Sequence, residues 1–262
     1  MALVHPAYGR LRQVTENAAV VLAENPSVMS LEGTNTWILR APGADECVVV
    51  DPGPLDEAHL ARVAQVPVAA TLISHRHFDH TEGAGRFAEL AHCPVHASSA
   101  DHRHGGGNEL ADGDVVEAAG LRIRVLATPG HTADSLSFVV EDDSSVLTAD
   151  TILGRGTTVL DDTDGDLGDY LRSLRALIGL GPGYTVLPGH GPELDDLETI
   201  ARGYLAHREQ RLEQVRAAVR TLGEDATARL VVEHVYADVD RSLWDAAEKS
   251  VNVQLEYLRS FA

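Results

Sequence analysis

The chain has 262 residues, which suits one large domain or a catalytic core with a small appendage. Hydrophobic residues make up 44% and charged residues 23%, so a disordered or fibrous protein is excluded. The 40 acidic and 21 basic residues give a net charge of −19, which disfavours binding to nucleic acids and to anionic membranes.

Short apolar runs bounded by Gly, Pro and Asp predict closely spaced β-strands between residues 18 and 149. One helix is predicted at residues 82–91. A second helix is predicted at residues 167–178, where apolar residues recur at i, i+3, i+4 and i+7. A last strand, YTVLP, begins at Tyr184.

After Pro192 the apolar residues keep a helical period, and further helical patterns follow near residues 226–236 and 241–260. No strand signal separates these patterns. We therefore predict two domains, an α/β catalytic domain in residues 1–194 and a small helical domain in residues 195–262.

Cysteine content and apolar runs argue against export. Cys47 and Cys93 are the only cysteines, too few for a disulfide framework. The N-terminal stretch lacks the apolar segment of a signal peptide, and the longest apolar runs fall far short of the roughly 20 residues of a membrane helix. We expect a cytoplasmic protein without a membrane anchor.

Three histidines and an aspartate crowd into six positions where the predicted strand AATLIS ends. They are His75, His77, Asp79 and His80. A tight loop there can turn several imidazoles toward one point, as a metal ion requires. Random placement would produce this pattern roughly 0.003 times in the whole chain, so it predicts metal ligands rather than a polar loop.

Three more candidates each follow a predicted strand: His131 in TPGH, Asp150 in LTAD and His190 in LPGH. Any one of them alone is explained as a turn residue. Together with the four upstream residues they make seven ligands, whereas one zinc ion uses three or four. The set therefore predicts two metal ions.

These motifs, in this order, resemble the metallo-β-lactamase superfamily over about residues 18–194. The resemblance implies a four-layer αββα sandwich with the metals at one edge of its two sheets. The runs TADTILGRGTTV, DYLRSLRAL, VLPGHGPEL and HREQRLEQV are similar to those of the β-lactamase-like protein 2 group. That similarity implies a winged-helix-like C-terminal domain.

The resemblance also assigns the ligands. It gives His75, His77 and His131 to a first metal, Asp79, His80 and His190 to a second, and Asp150 to both. The implied cofactors are two Zn²⁺ ions, with iron or manganese as alternatives, and the implied catalytic residues are Asp79 and Asp150. Two cations that share a water lower its pKa, which implies attack by a metal-bridging hydroxide.

Several other residues are singled out. Asp51, in VVVDPG, matches the superfamily's acid that supports the metal-binding loop through hydrogen bonds. Thr157 and Thr158 line either the substrate entrance or a solvated loop. His207 and Arg208, on the first helix of the C-terminal domain, could face the site, but an ion-paired helix surface is the favoured expectation. The run from His102 to His104 likewise lines either the substrate entrance or a solvated loop. His5, His59, His92, His96 and His234 have no ligand spacing and are expected to be structural.

Two functions follow. The first is a dinuclear hydrolase of a small or carrier-bound ester or thioester. The second, implied by the β-lactamase-like protein 2 resemblance, is a metal-dependent endoribonuclease that cuts single-stranded RNA. Acidic residues outnumber basic ones in 195–262, and no row of arginines there could follow a phosphate backbone, so charge favours the first. A non-catalytic protein is disfavoured because all seven ligand positions are intact, while the oligomeric state stays open.

Overall fold

The computed structural model describes residues 5, 7–160, 163–237 and 240–260, and in them two β-sheets lie face to face. The first sheet has six strands in sequence order, antiparallel up to β4 and parallel from β4 to β6. Its strands are β1 Leu11–Gln13, β2 Ala18–Leu22, β3 Asn35–Leu39, β4 Cys47–Val50, β5 Val68–Leu72 and β6 Val95–His96.

The second sheet has five strands in the order β11-β10-β9-β8-β7. Its strands are β7 Val115–Ala118, β8 Leu121–Ala127, β9 Leu136–Val140, β10 Ser145–Ala149 and β11 Thr185–Pro188. All its pairs are antiparallel except β10 with β11.

Helices cover the outer face of each sheet. They are α1 Glu57–Val63, α2 Phe78–Thr81, α3 Ala84–Ala91, α4 Leu167–Ile178, α5 Leu197–Leu222, α6 Ala228–Val235 and α7 Trp244–Arg259. On β9, Phe138 and Val140 enter the core between the sheets, whereas Val139 packs among residues of α4 and α5. Burial on both faces explains why this strand is a continuous apolar run rather than an alternating one.

The C-terminal helices build a core of their own. Val215 of α5, Val231 of α6 and Val251 of α7 are fully buried in one apolar cluster. The first half of α5 instead packs against α4 through Leu197 and Ala201. Because α5 belongs to both cores, the predicted boundary at residue 194 stays a prediction.

None of the helices in the described part of the chain combines the length and the apolar character that crossing a bilayer requires. The cytoplasmic location expected from the sequence stays a prediction.

The predicted strands and the long helices agree with the structure, while α1, the single turn α2 and the edge strands β1 and β7 were not predicted. Only Leu60 and Val63 give α1 an apolar pattern, and its first turn depends on Asp56, whose carboxylate accepts hydrogen bonds from two backbone N–H groups. All three residues of β1 are exposed, so this strand carries no burial pattern.

Candidate metal centre

Four strands end at the same edge of the sandwich, and each is followed by a polar residue. Asp51 follows β4, His75 comes three residues after β5, Asp150 follows β10 and His190 comes two residues after β11. Parallel pairing of β4 with β5, and of β10 with β11, brings the carboxyl ends of each pair together.

Backbone hydrogen bonds join the two sheets at this edge. The N–H of Leu136 donates to the carbonyl of Ser74 at 2.8 Å, and the N–H of Asn35 donates to the carbonyl of Gly189 at 2.8 Å. The loops that follow β5 and β11 are thereby fixed to the opposite sheet, which holds their side chains in place.

Three imidazoles form a first ligand group. Nδ1 of His77 lies 3.0 Å from Nε2 of His75 and 3.0 Å from Nε2 of His131. Three nitrogens this close can share one ion, since zinc–nitrogen bonds are about 2.0–2.1 Å long.

Two imidazoles and a carboxylate form a second ligand group. Nε2 of His80 lies 3.3 Å from Nε2 of His190, and Oδ2 of Asp79 lies 3.2 Å from Nε2 of His190 and 3.7 Å from Nε2 of His80. The helix α2 presents Asp79 and His80 on consecutive positions of its only turn.

The Asp150 carboxylate lies between the two groups. Its Oδ2 is 3.7 Å from Nε2 of His131 and 3.3 Å from Nε2 of His190, and its Oδ1 is 3.6 Å from Nε2 of His80. Oδ1 is buried and has no hydrogen-bond partner among the described residues. A buried carboxylate oxygen without a donor is costly, and a cation between the groups would satisfy it.

Asp51 orients one imidazole of each group. Its Oδ2 accepts a hydrogen bond from Nδ1 of His80 at 2.8 Å and from the Ser74 hydroxyl at 2.6 Å. That hydroxyl lies 2.9 Å from Nδ1 of His75 and accepts its proton. Asp51 itself has a φ of +52°, a left-handed conformation that aspartate tolerates better than most residues.

Backbone carbonyls orient two more imidazoles. Nδ1 of His131 donates to the carbonyl of Val159 at 2.6 Å, and Nδ1 of His190 donates to the carbonyl of Gly33 at 3.0 Å. A carbonyl only accepts, so in both rings Nδ1 carries the proton and the Nε2 lone pair faces the cluster. This is the tautomer that a metal ligand needs.

The electrostatics differ between the groups. Burial holds the pKa of His75 well below its usual value, and burial also lowers the pKa of His131. Burial opposes charge on His80 too, but the carboxylates of Asp79, Asp150 and Asp51 outweigh it and raise the pKa of His80 to about 9. The second group therefore favours positive charge at its centre.

One glycine is required for the cluster to close. A Cβ on Gly189 would lie 2.4 Å from Oδ1 of Asp150 and 2.9 Å from Cε1 of His80. No side chain fits at this position of the LPGH motif. The sequence does show a glycine beside the predicted ligand His190. It does not show why that glycine is required, because the reason is its contact with Asp150 at the end of β10.

A cavity of about 500 Å³ opens beside the cluster and reaches the C-terminal helices. His131 and Asp150 of the cluster line this cavity, and so does Arg208 of α5. Thr157 and Thr158 line the cavity as well. Thr158 is buried, so the solvated-loop alternative is wrong for this residue, whereas Thr157 is exposed. A contact of either threonine with substrate stays a prediction.

The expected ion-paired surface for His207 and Arg208 is wrong. Both side chains line the cavity, and Arg208 is only 6% exposed. Its guanidinium donates to the carbonyl of Thr158 and lies over the ring of Tyr170. The error arose because the face of α5 that carries Arg208 is covered by neighbouring elements rather than by solvent.

Residues 29–190 match the family described as "Metallo-beta-lactamase superfamily", and residues 227–260 match the "Beta-lactamase associated winged helix domain". The chain belongs to the metallo-beta-lactamase superfamily. The predicted sandwich with a C-terminal winged-helix domain is thereby confirmed, and the protein is an enzyme of hydrolase type.

Two relatives and one solved structure extend the match to nearly the whole chain. The chain is 34% identical to an "Atrochrysone carboxyl ACP thioesterase" of Aspergillus chevalieri, over 84% of this chain and 70% of that protein. It is 31% identical to a "Beta-lactamase-like protein 2 homolog" of Drosophila melanogaster, over 98% and 91%. A beta-lactamase domain protein from Burkholderia ambifaria shares the fold, with a TM-score of 0.81, 24% identity and coverage of 99% and 91%.

Proposed function

We propose that the chain is a dinuclear metal-dependent hydrolase of thioesters. His75, His77 and His131 would hold one divalent ion, Asp79, His80 and His190 a second, and Asp150 would bridge both. The observation that carries the proposal is the buried, unpartnered Oδ1 of Asp150 between two converging ligand groups. Imidazole-rich sites with carboxylates suit zinc, which we propose as the metal.

The cations, when bound, would lower the pKa of a water molecule that they share and polarise the carbonyl under attack. The protein's own groups set the geometry. Asp51 and the carbonyls of Val159 and Gly33 fix the imidazole rings through their Nδ1 protons.

Asp79 is proposed to orient the attacking water. The positive charge of His80 and His190 outweighs the effect of burial and lowers the pKa of Asp79 to about 2. The Thr34 hydroxyl donates to Oδ2 of this carboxylate at 3.3 Å. Because Asp79 stays ionised at neutral pH, it acts as a hydrogen-bond acceptor for the water rather than as an acid.

The cavity favours an acyl substrate. Val28, Met29, Leu31 and Leu153 are among its lining residues and offer apolar contacts to an acyl chain. One relative bears the name of an acyl-carrier-protein thioesterase, which supports a carrier-bound or similar thioester as the substrate class.

The test combines elemental analysis with a substrate comparison. We expect about two zinc ions per chain and hydrolysis of acyl thioesters that stops when a chelator removes the metal. Single-stranded RNA, assayed beside the thioesters at physiological salt, should not be cut, since the net charge of −19 repels a phosphate backbone. One metal ion per chain at saturation would refute the dinuclear site, and RNA cleavage without thioester hydrolysis would replace the substrate class.

A further inference from the structure

Arg208 is a buried cation that lines the cavity without a carboxylate partner among the described residues. Its guanidinium donates to the carbonyl of Thr158 and lies 5.0 Å from the centre of the Tyr170 ring, while its Nε has no hydrogen-bond partner there. Burying a guanidinium away from any carboxylate is costly. Such a charge is expected where an anion binds.

Two further groups on α5 adjoin this arginine. Arg211, one turn later, lines the same cavity, lies over the ring of Tyr236 and donates to the amide oxygen of Gln214 at 2.9 Å. Nδ1 of His207 is buried without a hydrogen-bond partner in the described part of the chain. Burial first, and then the charges of Arg208 and Arg211, lower the pKa of His207, as expected for neighbours in one positive field.

We call His207, Arg208 and Arg211 the cation cluster. Thr158 connects it to the metal centre, because the Thr158 hydroxyl donates to the backbone carbonyl of Asp150 at 2.5 Å and the Thr158 carbonyl accepts from Arg208. A molecule whose scissile bond reaches Asp150 can therefore reach the cation cluster through the same cavity.

We propose that the cation cluster binds an oxyanion carried by the substrate, a phosphate or a carboxylate, at a distance from the scissile bond. This inference rests on the proposed thioesterase function and adds a substrate class to it: thioesters with a negative charge on the acyl group or on the thiol side. Guanidinium groups bind both oxyanions through paired hydrogen bonds.

A single anionic group fits the observations better than a nucleic acid. Three arginines line the cavity of about 500 Å³, and one of them, Arg155, is paired with Glu32, whereas a polymer needs basic residues along its whole path. The surrounding chain carries a net charge of −19 and repels flanking phosphates.

The experiment uses two matched pairs of thioesters with the metal-loaded protein. Pentanoyl and glutaryl thioesters of N-acetylcysteamine differ by a carboxylate on the acyl group. Pentanoyl-pantetheine and pentanoyl-phosphopantetheine differ by one phosphate on the thiol side. We expect the anionic member of one pair to have at least a roughly tenfold lower KM, and that pair identifies the source of the oxyanion.

Arg211→Gln should raise the KM of the preferred anionic substrate roughly 10- to 100-fold, and much more than that of its neutral partner. Arg216→Gln is the matched control. It makes the same charge change on the same helix, but Arg216 pairs with Glu213 and does not line the cavity. Arg211 is chosen because loss of Arg208 would also release Thr158 and Tyr170.

Equal KM values within both pairs, or a preference that survives Arg211→Gln, would overturn the proposal. If the wild-type protein hydrolyses none of the four thioesters, the proposed function fails, and the intact compounds become ligands for calorimetric titration. Tighter binding of an anionic member that Arg211→Gln abolishes then still supports the anion site. Equal binding within both pairs overturns it, as does RNA cleavage that depends on Arg211.

Discussion

Two buried histidines show what one residue type does in opposite electrostatic surroundings. His59 of α1 is 6% exposed, and burial lowers its pKa to about 4 because the nearby Asp56 offsets only part of the effect. His80 is also buried, yet Asp79 and Asp150 are the main groups that raise its pKa to about 9.

The direction of the pKa shift distinguishes His59 from His80, although burial lowers the pKa of His75 and His131 in the first ligand group as well. His59 is neutral and satisfied, with Nε2 2.9 Å from the Thr36 hydroxyl and a hydrogen bond to the Pro52 carbonyl. Around His80 the negative charge exceeds what the imidazoles balance, so the cluster accommodates added cations. Substitutions in the cluster should therefore impair metal binding, whereas substitution of His59 should impair stability.

The largest effect is expected for Asp150→Asn. Both proposed ions lose the shared carboxylate, so we expect no more than one metal per chain and at least about a 1000-fold loss of thioester hydrolysis, since even outer contacts are worth 10- to 100-fold. Circular dichroism should show an intact fold, because Asp150 lies at the sheet edge.

Asp195→Asn, an exposed residue with the same charge change, serves as the control. If Asp150→Asn unfolds even in the presence of excess metal, the contrast between the metal cluster and His59 is refuted, because the cluster would then serve stability as His59 does.

Gly189→Ala should follow closely. The added Cβ would meet Oδ1 of Asp150 at 2.4 Å, which forces the carboxylate or its strand to shift. A displacement of about 1 Å near reacting groups costs about 100-fold in rate. Gly203→Ala on α5 meets no heavy atom within 4 Å and should keep full activity. Equal kcat/KM for the two variants would show that Asp150 adapts freely and that its position is not critical.

Asp51→Asn should have a smaller effect that sharpens the contrast between the two ligand groups. Asparagine has only one acceptor oxygen. If that oxygen takes the place of Oδ2, the side-chain NH2 faces the Ser74 N–H that donates to Oδ1 at 2.8 Å in the wild type, so metal affinity should fall about 10- to 100-fold. Ser74→Ala removes the hydroxyl contacts with His75 and Asp51 but leaves His80 paired with Asp51, so it should weaken the first group more than the second. Competition with a chromophoric chelator measures both steps, and identical losses in the two variants would refute separate orientation of the groups.

The ligands were predictable because the metal-binding residue types recur at strand ends with a rare spacing. The roles of Ser74 and Gly189 were not, since each depends on a partner far away in sequence. Arg208 shows the same limit: helical periodicity places it on a face of α5 but does not show what covers that face. The metal ligands can therefore be predicted from local sequence patterns. The residues that hold the ligands in place, and those that line the cavity, can be identified only from contacts in the folded structure.

The smallest effect concerns His59 and acts on stability alone. Its folded pKa of about 4 lies below the usual value near 6.5, so the neutral ring stabilises the fold above pH 6.5. This contribution is lost as pH falls from 6.5 to 4, by roughly 3 kcal/mol at most. In His59→Gln the free energy of unfolding, measured with urea between pH 4.5 and 7.5, should lose that part of its pH dependence. Metal content at pH 7.5 should stay at the wild-type value, and an unchanged pH slope would show that His59 is already protonated or exposed in the native protein.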